Sequence, residues 1–251
     1  MQAASPTRRL ALSMLLAGAS AWPAAWAANA GSLLRIDVNY HVDFYPEERA
    51  GLEAWVERLK PKMMTWWPIL TAALASPGFT PTDQISLEFY RIEPSTVPAA
   101  TIKTRIVVDP AYVLAHLHNP DMFGMVGHEM VHVMQAYPGH LAPWLTEGLA
   151  DYMRYYVLIP DDPGRAFDPK DAHFDGGYQP TAGLLDWVER GHPGAVRRVN
   201  AVMRQGGDGP AELSRQAGAP LEMVWAAYLA SRPAATSPEA VRARQVGQGR
   251  L

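Results

Sequence analysis

The segment GMVGHEMVHVMQAY, residues 124–137, is apolar almost throughout, yet it contains His128, Glu129, His132 and Gln135. A helix turns about 100° per residue, so His132 and Gln135 lie within about 40° of His128 on its surface. Glu129 lies about 100° from His128. The remaining positions are apolar on every other side, which predicts a buried helix. This helix therefore contains a buried carboxylate, that of Glu129, and a buried ionised carboxylate needs a partner.

The HExxH spacing supplies that partner in the form of a zinc ion. Histidines at i and i+4 aim a ring nitrogen at one point beside the helix, so His128 and His132 are predicted as metal ligands. Glu129 cannot comfortably reach the metal but can reach a water bound to it, which makes Glu129 the predicted catalytic base. Gln135 is expected to cap a nearby loop or backbone group. The alternative is a pair of surface histidines beside a solvated glutamate, which the apolar flanks disfavour.

A second segment, WLTEGLADY, places Glu147 and Asp151 four residues apart on one helical face, where like charges repel. A cation between the two helices would provide a partner for the buried Glu129 carboxylate and would offset the repulsion between Glu147 and Asp151. We predict Glu147 as the third zinc ligand and Asp151 as the acceptor of the outer ring N–H of His128. Two histidines and one glutamate leave a fourth position open to water, as in catalytic zinc sites. The alternatives are a helix-start acid favoured by the helix dipole for Glu147, and an ordinary surface acid for Asp151.

Peptide hydrolysis also requires a hydrogen-bond donor for the oxyanion. Tyr178 is the candidate, because it follows the flexible pair Gly176-Gly177 and precedes a predicted helix start. Tyr152 and Tyr155 are rivals that are expected to pack instead. A packed loop aromatic is the alternative interpretation of Tyr178 itself.

The elements that must position these residues follow from periodicity. Strands are expected at 33–45, 84–92 and 101–109. Helices are expected at 47–75, 119–136, 143–159, 181–190, 194–204 and 220–229. A long loop rich in Pro and Asp is expected at 160–177. Pro61 and Pro68 should kink or divide the first helix. The strand ending at 106–108 is either a cleft edge that pairs an extended peptide or a plain core strand. Strands followed by helices predict an α+β fold, with an N-terminal antiparallel or mixed sheet and a mainly helical C-terminal half that contains the HExxH helix.

Composition limits the function further. The formal net charge of −3 gives no basic field for nucleic acid. The absence of cysteine excludes thiolate zinc ligands, a cysteine nucleophile and disulfides.

The first residues are typical of an export signal: Arg8 and Arg9, then a short apolar run, then the small-residue site AWA. We therefore predict a signal peptide at 1–27, a catalytic domain at 32–231 and a disordered tail at 232–251. The apolar run is too short for a comfortable membrane span, so no stable membrane insertion is expected after cleavage. A transmembrane anchor or a plain apolar N-terminus is the alternative.

The segments HEMVHVMQAY, PWLTEGLADYMR and GGYQPTAGLLDWVE together resemble the basic secretory protein family, zinc peptidases of plants with bacterial members. The resemblance runs from about Ile36 to Leu229. It implies a zincin-like metallopeptidase domain of the gluzincin type, with Zn²⁺ on two histidines and a glutamate and with Glu129 as catalytic base. The acidic charge of this chain departs from the family's name.

Together these features predict an exported zinc metallopeptidase, periplasmic or secreted, that acts on peptide or protein substrates. One alternative is a zinc hydrolase of another amide, such as a cell-wall peptide. The other is a non-catalytic binding protein that zinc merely stabilises, although such a protein has no need of Glu129.

Overall fold

The computed structural model describes residues 34–91, 97–119, 121–139 and 141–232. The predicted signal peptide and nearly all of the predicted tail lie outside these residues. The strands are β1 Arg35–Tyr40, β2 Gln84–Phe89, β3 Ala99–Ile102 and β4 Arg105–Val108. The helices are α1 Pro46–Ala73, α2 Pro110–Ala115, α3 Met122–Gln135, α4 Pro143–Tyr152, α5 Tyr178–Gly191, α6 Ala195–Arg204, α7 Gly209–Ala217 and α8 Leu221–Ser231, with a π-helical turn at Met153–Leu158 and a 3₁₀ turn at Pro163–Arg165.

The four strands form one mixed sheet in the order β1-β2-β4-β3. β1, β2 and β4 are parallel, while β3 is antiparallel to β4 and lies at the edge of the sheet. This sheet precedes a mainly helical C-terminal half, which confirms the predicted α+β class and the mixed sheet.

The prediction of a single strand at 101–109 is wrong. The chain reverses at Lys103 and Thr104, so β3 and β4 form a hairpin with Thr101 opposite Ile106. Lys103 has a φ of 58°, the left-handed conformation that two-residue hairpin turns require, and its residue type gave no signal of it. Because β4 lies between β2 and β3, the strand ending at 106–108 is interior, and β3 forms the sheet edge.

Helix α1 is continuous through Pro61 and Pro68, so of the two predicted effects, a kink or a division, the division does not occur. Each proline removes the hydrogen bond to the carbonyl four residues earlier, at Glu57 and Met64. Both prolines and both carbonyl-bearing residues are exposed, which leaves the freed carbonyls open to water. The opposite face is a buried stripe that includes Trp55, Leu59 and Met63. Burial of this stripe holds the helix together despite the lost bonds.

Helix α3 packs against α1 and against β3 and β4 of the sheet, and it contributes fully buried side chains to the core, among them Val126, Met130 and Met134. It begins at Met122, later than the predicted start, because the Asn119 side chain accepts a hydrogen bond from the Asp121 N–H in a turn before the helix. It ends where Ala136 takes up a left-handed conformation with a φ of 46°. The predicted burial of the HExxH helix is confirmed.

The predicted helices at 181–190, 194–204 and 220–229 correspond to α5, α6 and α8, whereas α2 and α7 were missed. Both missed helices are short, and each follows an aspartate and includes a proline in its first turn. Asp109 and Asp208 cap them by accepting backbone N–H bonds. Within the described ranges, no helix has the length and apolarity needed to cross a membrane.

Candidate metal centre

Three side-chain atoms from α3 and α4 converge on one point. His128 Nε2 lies 3.1 Å from His132 Nε2 and 3.1 Å from Glu147 Oε2. His132 Nε2 lies 3.5 Å from the same Glu147 oxygen. Ligand atoms about 2.0–2.1 Å from a tetrahedrally coordinated zinc ion are separated by about 3.3 Å. The spacing of these three atoms therefore fits a single ion.

Glu129 lies beside this cluster. His128, Glu129 and His132 each offer a ligand atom, and these atoms lie within 4.8 Å of one another, so this group could hold a metal ion. Glu129 Oε2 accepts a hydrogen bond of 2.7 Å from the Thr101 hydroxyl of β3. The glutamate is only 7% exposed, so this bond meets part of its need for a polar partner.

The Nδ1 atom of each imidazole has its own hydrogen-bond partner. His128 Nδ1 lies 2.7 Å from Asp151 Oδ1, and His132 Nδ1 lies 2.7 Å from Gln135 Oε1. Both partners are acceptors, so each Nδ1 carries a hydrogen, and Nε2 is the nitrogen that each ring turns toward Glu147. A metal ion that binds there takes the place of any proton on Nε2.

Electrostatics in the site favour a cation. Burial opposes a charge on His128, but hydrogen bonds with Asp151 and Glu147 outweigh it and raise the pKa of this imidazole to about 9. Burial opposes ionisation of Glu147, yet hydrogen bonds with His128 and His132 hold the pKa of its carboxyl well below the ordinary value. Three carboxylates, those of Glu129, Glu147 and Asp151, thus lie around two imidazoles in a partly buried site. Such an arrangement attracts positive charge, whether a proton or a metal ion.

The cluster opens into a cleft of about 860 Å³. β3 and the turn after it line one wall, and α3, α4 and the start of α5 line the rest. Lys103 and Arg154 are the cationic side chains among the described residues that line it.

Tyr178 lies at the rim of the cleft, 51% exposed, with its ring centroid 6.3 Å from that of His128 and the two rings nearly parallel. Gly177 and Tyr178 both have positive φ, 71° and 44°, and this reversal directs the first residue of α5 toward the cleft. For tyrosine that conformation is strained, and such strain concentrates at functional sites. The rivals are buried: Tyr152 is 8% exposed and stacks on Tyr156, and Tyr155 is 3% exposed although it contributes to the cleft wall.

Two contacts in the site were missed from the sequence. Gln135 caps the Thr146 carbonyl oxygen at 2.9 Å, as expected, but it also binds His132. The i, i+3 spacing of histidine and glutamine on one helix face could have indicated this contact. Thr101 gave no such signal, because it lies on a strand far from Glu129 in the chain.

Comparison with known proteins identifies a family. The model of the BSP family, described as a peptidase of plants and bacteria, matches residues 57–228, more than half of the chain. The matched range contains the whole cluster described above and the cleft around it. No curated protein and no solved structure matches the chain significantly.

Proposed function

Because the chain belongs to the BSP family of peptidases of plants and bacteria, we propose that it is an exported zinc metallopeptidase that cleaves peptide bonds in peptide or protein substrates. The observation that carries this proposal is the convergence of His128 Nε2, His132 Nε2 and Glu147 Oε2 at separations of 3.1–3.5 Å. Export to the periplasm or the medium rests on the signal peptide predicted at 1–27.

We assign the third ligand to Glu147 and not to Glu129. The Glu147 oxygen is as close to both histidines as ligands of one ion are to each other. Glu129 is held by Thr101 instead. Two histidines and one glutamate with a fourth position left open are typical of catalytic zinc. Asp151 and Gln135 orient the two imidazoles from the outer side.

In the proposed mechanism, Glu129 transfers the proton and Tyr178 stabilises the oxyanion. When bound, zinc supplies a Lewis acid that polarises the scissile carbonyl and acidifies the attacking water. Glu129 accepts the proton of that water and passes it to the leaving amine nitrogen. The Tyr178 hydroxyl donates a hydrogen bond to the oxyanion from the rim of the cleft. Burial raises the pKa of Tyr178, so its hydroxyl keeps its proton at neutral pH.

The edge strand β3 supports a peptide as the substrate. Its inner side pairs with β4, and its outer side borders the cleft beside α3. An extended peptide can bind there by strand addition, using backbone hydrogen bonds. A mixed sheet with an antiparallel edge strand next to the HExxH helix also supports the zincin-like domain that the family resemblance implies, and Glu147 as the third ligand supports its gluzincin type.

The experiment uses the mature chain from residue 28 onward. Zinc per chain is measured by mass spectrometry, and cleavage of casein and of a peptide library is followed with and without a chelator. We expect about one zinc per chain and a cleavage activity that the chelator abolishes and zinc restores. Glu129→Gln should keep the zinc and lose the cleavage, because it removes the base alone. Undiminished cleavage by this variant would refute the role of Glu129.

Two further outcomes separate the alternatives. Zinc binding without cleavage of any peptide or amide would favour a non-catalytic binding protein. A chain that binds no divalent metal at all would overturn the proposal.

A further inference from the structure

Thr101 lies in the edge strand β3 and contacts Glu129 twice. Its hydroxyl oxygen lies 2.7 Å from Glu129 Oε2 and 3.0 Å from the Glu129 carbonyl oxygen. A hydroxyl has a single proton to donate, and the carboxylate is both the closer and the charged acceptor. The stronger of the two contacts therefore joins the edge strand to the side chain of the proposed base.

The sheet register explains how a strand residue reaches the helix. Thr101 pairs with Ile106 of β4, and directly opposed residues of an antiparallel pair point to the same face. The Thr101 hydroxyl contacts Glu129, so this side chain points from the sheet toward α3, and the fully buried Ile106 side chain lies on the same face of the sheet.

This contact engages one carboxylate oxygen and leaves the other, Oε1, for a water molecule. Among the described residues, the Thr101 hydroxyl is the side-chain hydrogen-bond partner of this carboxylate. A ligand atom of Glu129 lies within 4.8 Å of those of His128 and His132, closer to the metal centre than the HExxH spacing led us to expect, so a rotation of the side chain would bring it there. A tether to the strand opposes that rotation.

We propose that Thr101 is a positioning residue that holds Glu129 away from the metal and in line with the peptide. This inference rests on the proposed function. The strand that carries Thr101 is also the strand on which an extended peptide would pair. The base is then fixed to the same backbone as the substrate, and the distance from Glu129 to the scissile bond is set by β3.

Thr101→Val and Thr101→Ser form a matched pair for the test. Valine keeps the shape of threonine and loses the hydroxyl, whereas serine keeps the hydroxyl and loses the methyl group. A hydrogen bond to a charged group corresponds to roughly a tenfold effect or more, so kcat of Thr101→Val should fall about tenfold. KM should stay within about twofold, because peptide pairing uses the strand backbone. Thr101→Ser should retain most of the wild-type kcat.

The assay uses a peptide that the wild-type protein cleaves, with zinc content and Tm measured for every variant. An unchanged kcat in Thr101→Val overturns the proposal. Equal losses in Thr101→Val and Thr101→Ser also overturn it, since the methyl group would then matter and not the hydroxyl.

A second readout is independent of turnover. In a crystal structure of zinc-free Thr101→Val, the Glu129 carboxylate should leave the position it occupies in the zinc-free wild type, and an unmoved carboxylate contradicts the proposal. This measurement decides the role of Thr101 even if the wild-type protein cleaves no peptide. In that case the proposed function fails separately.

Discussion

Replacing Gln135 with methionine should weaken zinc binding without unfolding the protein. Gln135 is 2% exposed and bridges two elements: its oxygen accepts from His132 Nδ1 on α3, and its amide donates to the Thr146 carbonyl oxygen of α4. Methionine has a similar length and fills the same space without either polar group.

The size of the effect follows from the contact that is lost. A buried ring N–H without an acceptor costs about 1–3 kcal/mol. His132 can avoid this cost by moving its proton to Nε2, but that nitrogen then has no lone pair for the metal. Either route disfavours the metal-bound state. The expected loss is about 10–100-fold in zinc affinity, the range typical of partners behind a metal ligand.

Zinc affinity is measured by competition with a chromophoric chelator at fixed pH, for wild type and Gln135→Met. The Tm of both proteins without metal is the control for folding. Gln135→Glu is the matched variant: it keeps an acceptor for His132 and loses the donor to Thr146. We expect its zinc affinity to lie closer to wild type. An affinity of Gln135→Met within about twofold of wild type, at a comparable zinc-free Tm, would refute the role of Gln135 in orienting His132.

The other predictions concern a ligand, the oxyanion donor and the framework. Glu147→Ala should weaken zinc binding more than about 100-fold, because it removes a direct ligand and not a supporting one; the same competition assay applies, and unchanged affinity would exclude Glu147 from the ligand set. Tyr178→Phe should lower kcat about 100-fold at constant zinc content, because one oxyanion hydrogen bond is lost; an unaltered kcat would leave the tyrosine as a rim residue only. Arg204→Met should reduce the free energy of unfolding by about 2–5 kcal/mol, since the guanidinium donates to the Gln135 and Met134 carbonyl oxygens at the end of α3, at 3.1 and 2.6 Å, and these acceptors would lose their partner. Urea unfolding measures this loss, and a change below about 1 kcal/mol would show that water replaces the guanidinium.

The helices that carry the site could be predicted from the sequence, whereas the strands of the sheet were predicted less accurately. Periodicity located α1, α3 and α4 because an apolar stripe is a local property of a helix. The hairpin of β3 and β4 was taken for one strand, since Lys103 in a left-handed turn does not differ in residue type from a lysine in a strand. Of the two interpretations of the strand ending at 106–108, the structure favours the interior strand, and the sheet edge is β3.

The residues of the metal site could be predicted for a similar reason. His128, Glu129 and His132 belong to one helix, and Glu147 and Asp151 to another, so spacing alone placed each set on a face. The Thr101 contact depends on what lies opposite that face, whereas the missed contact of Gln135 with His132 lies within α3 and could have been recognised from its i, i+3 spacing.

Local sequence was thus sufficient to identify the residue types and the helical faces that could bind a metal, because an α-helix repeats every 3.6 residues whatever surrounds it. The three-dimensional fold was needed to bring α4 against α3, so that Glu147 lies 3.1 Å from His128, and to place Thr101 beside Glu129. Those distances come from packing between elements distant in the chain, and no periodicity within a single element encodes them.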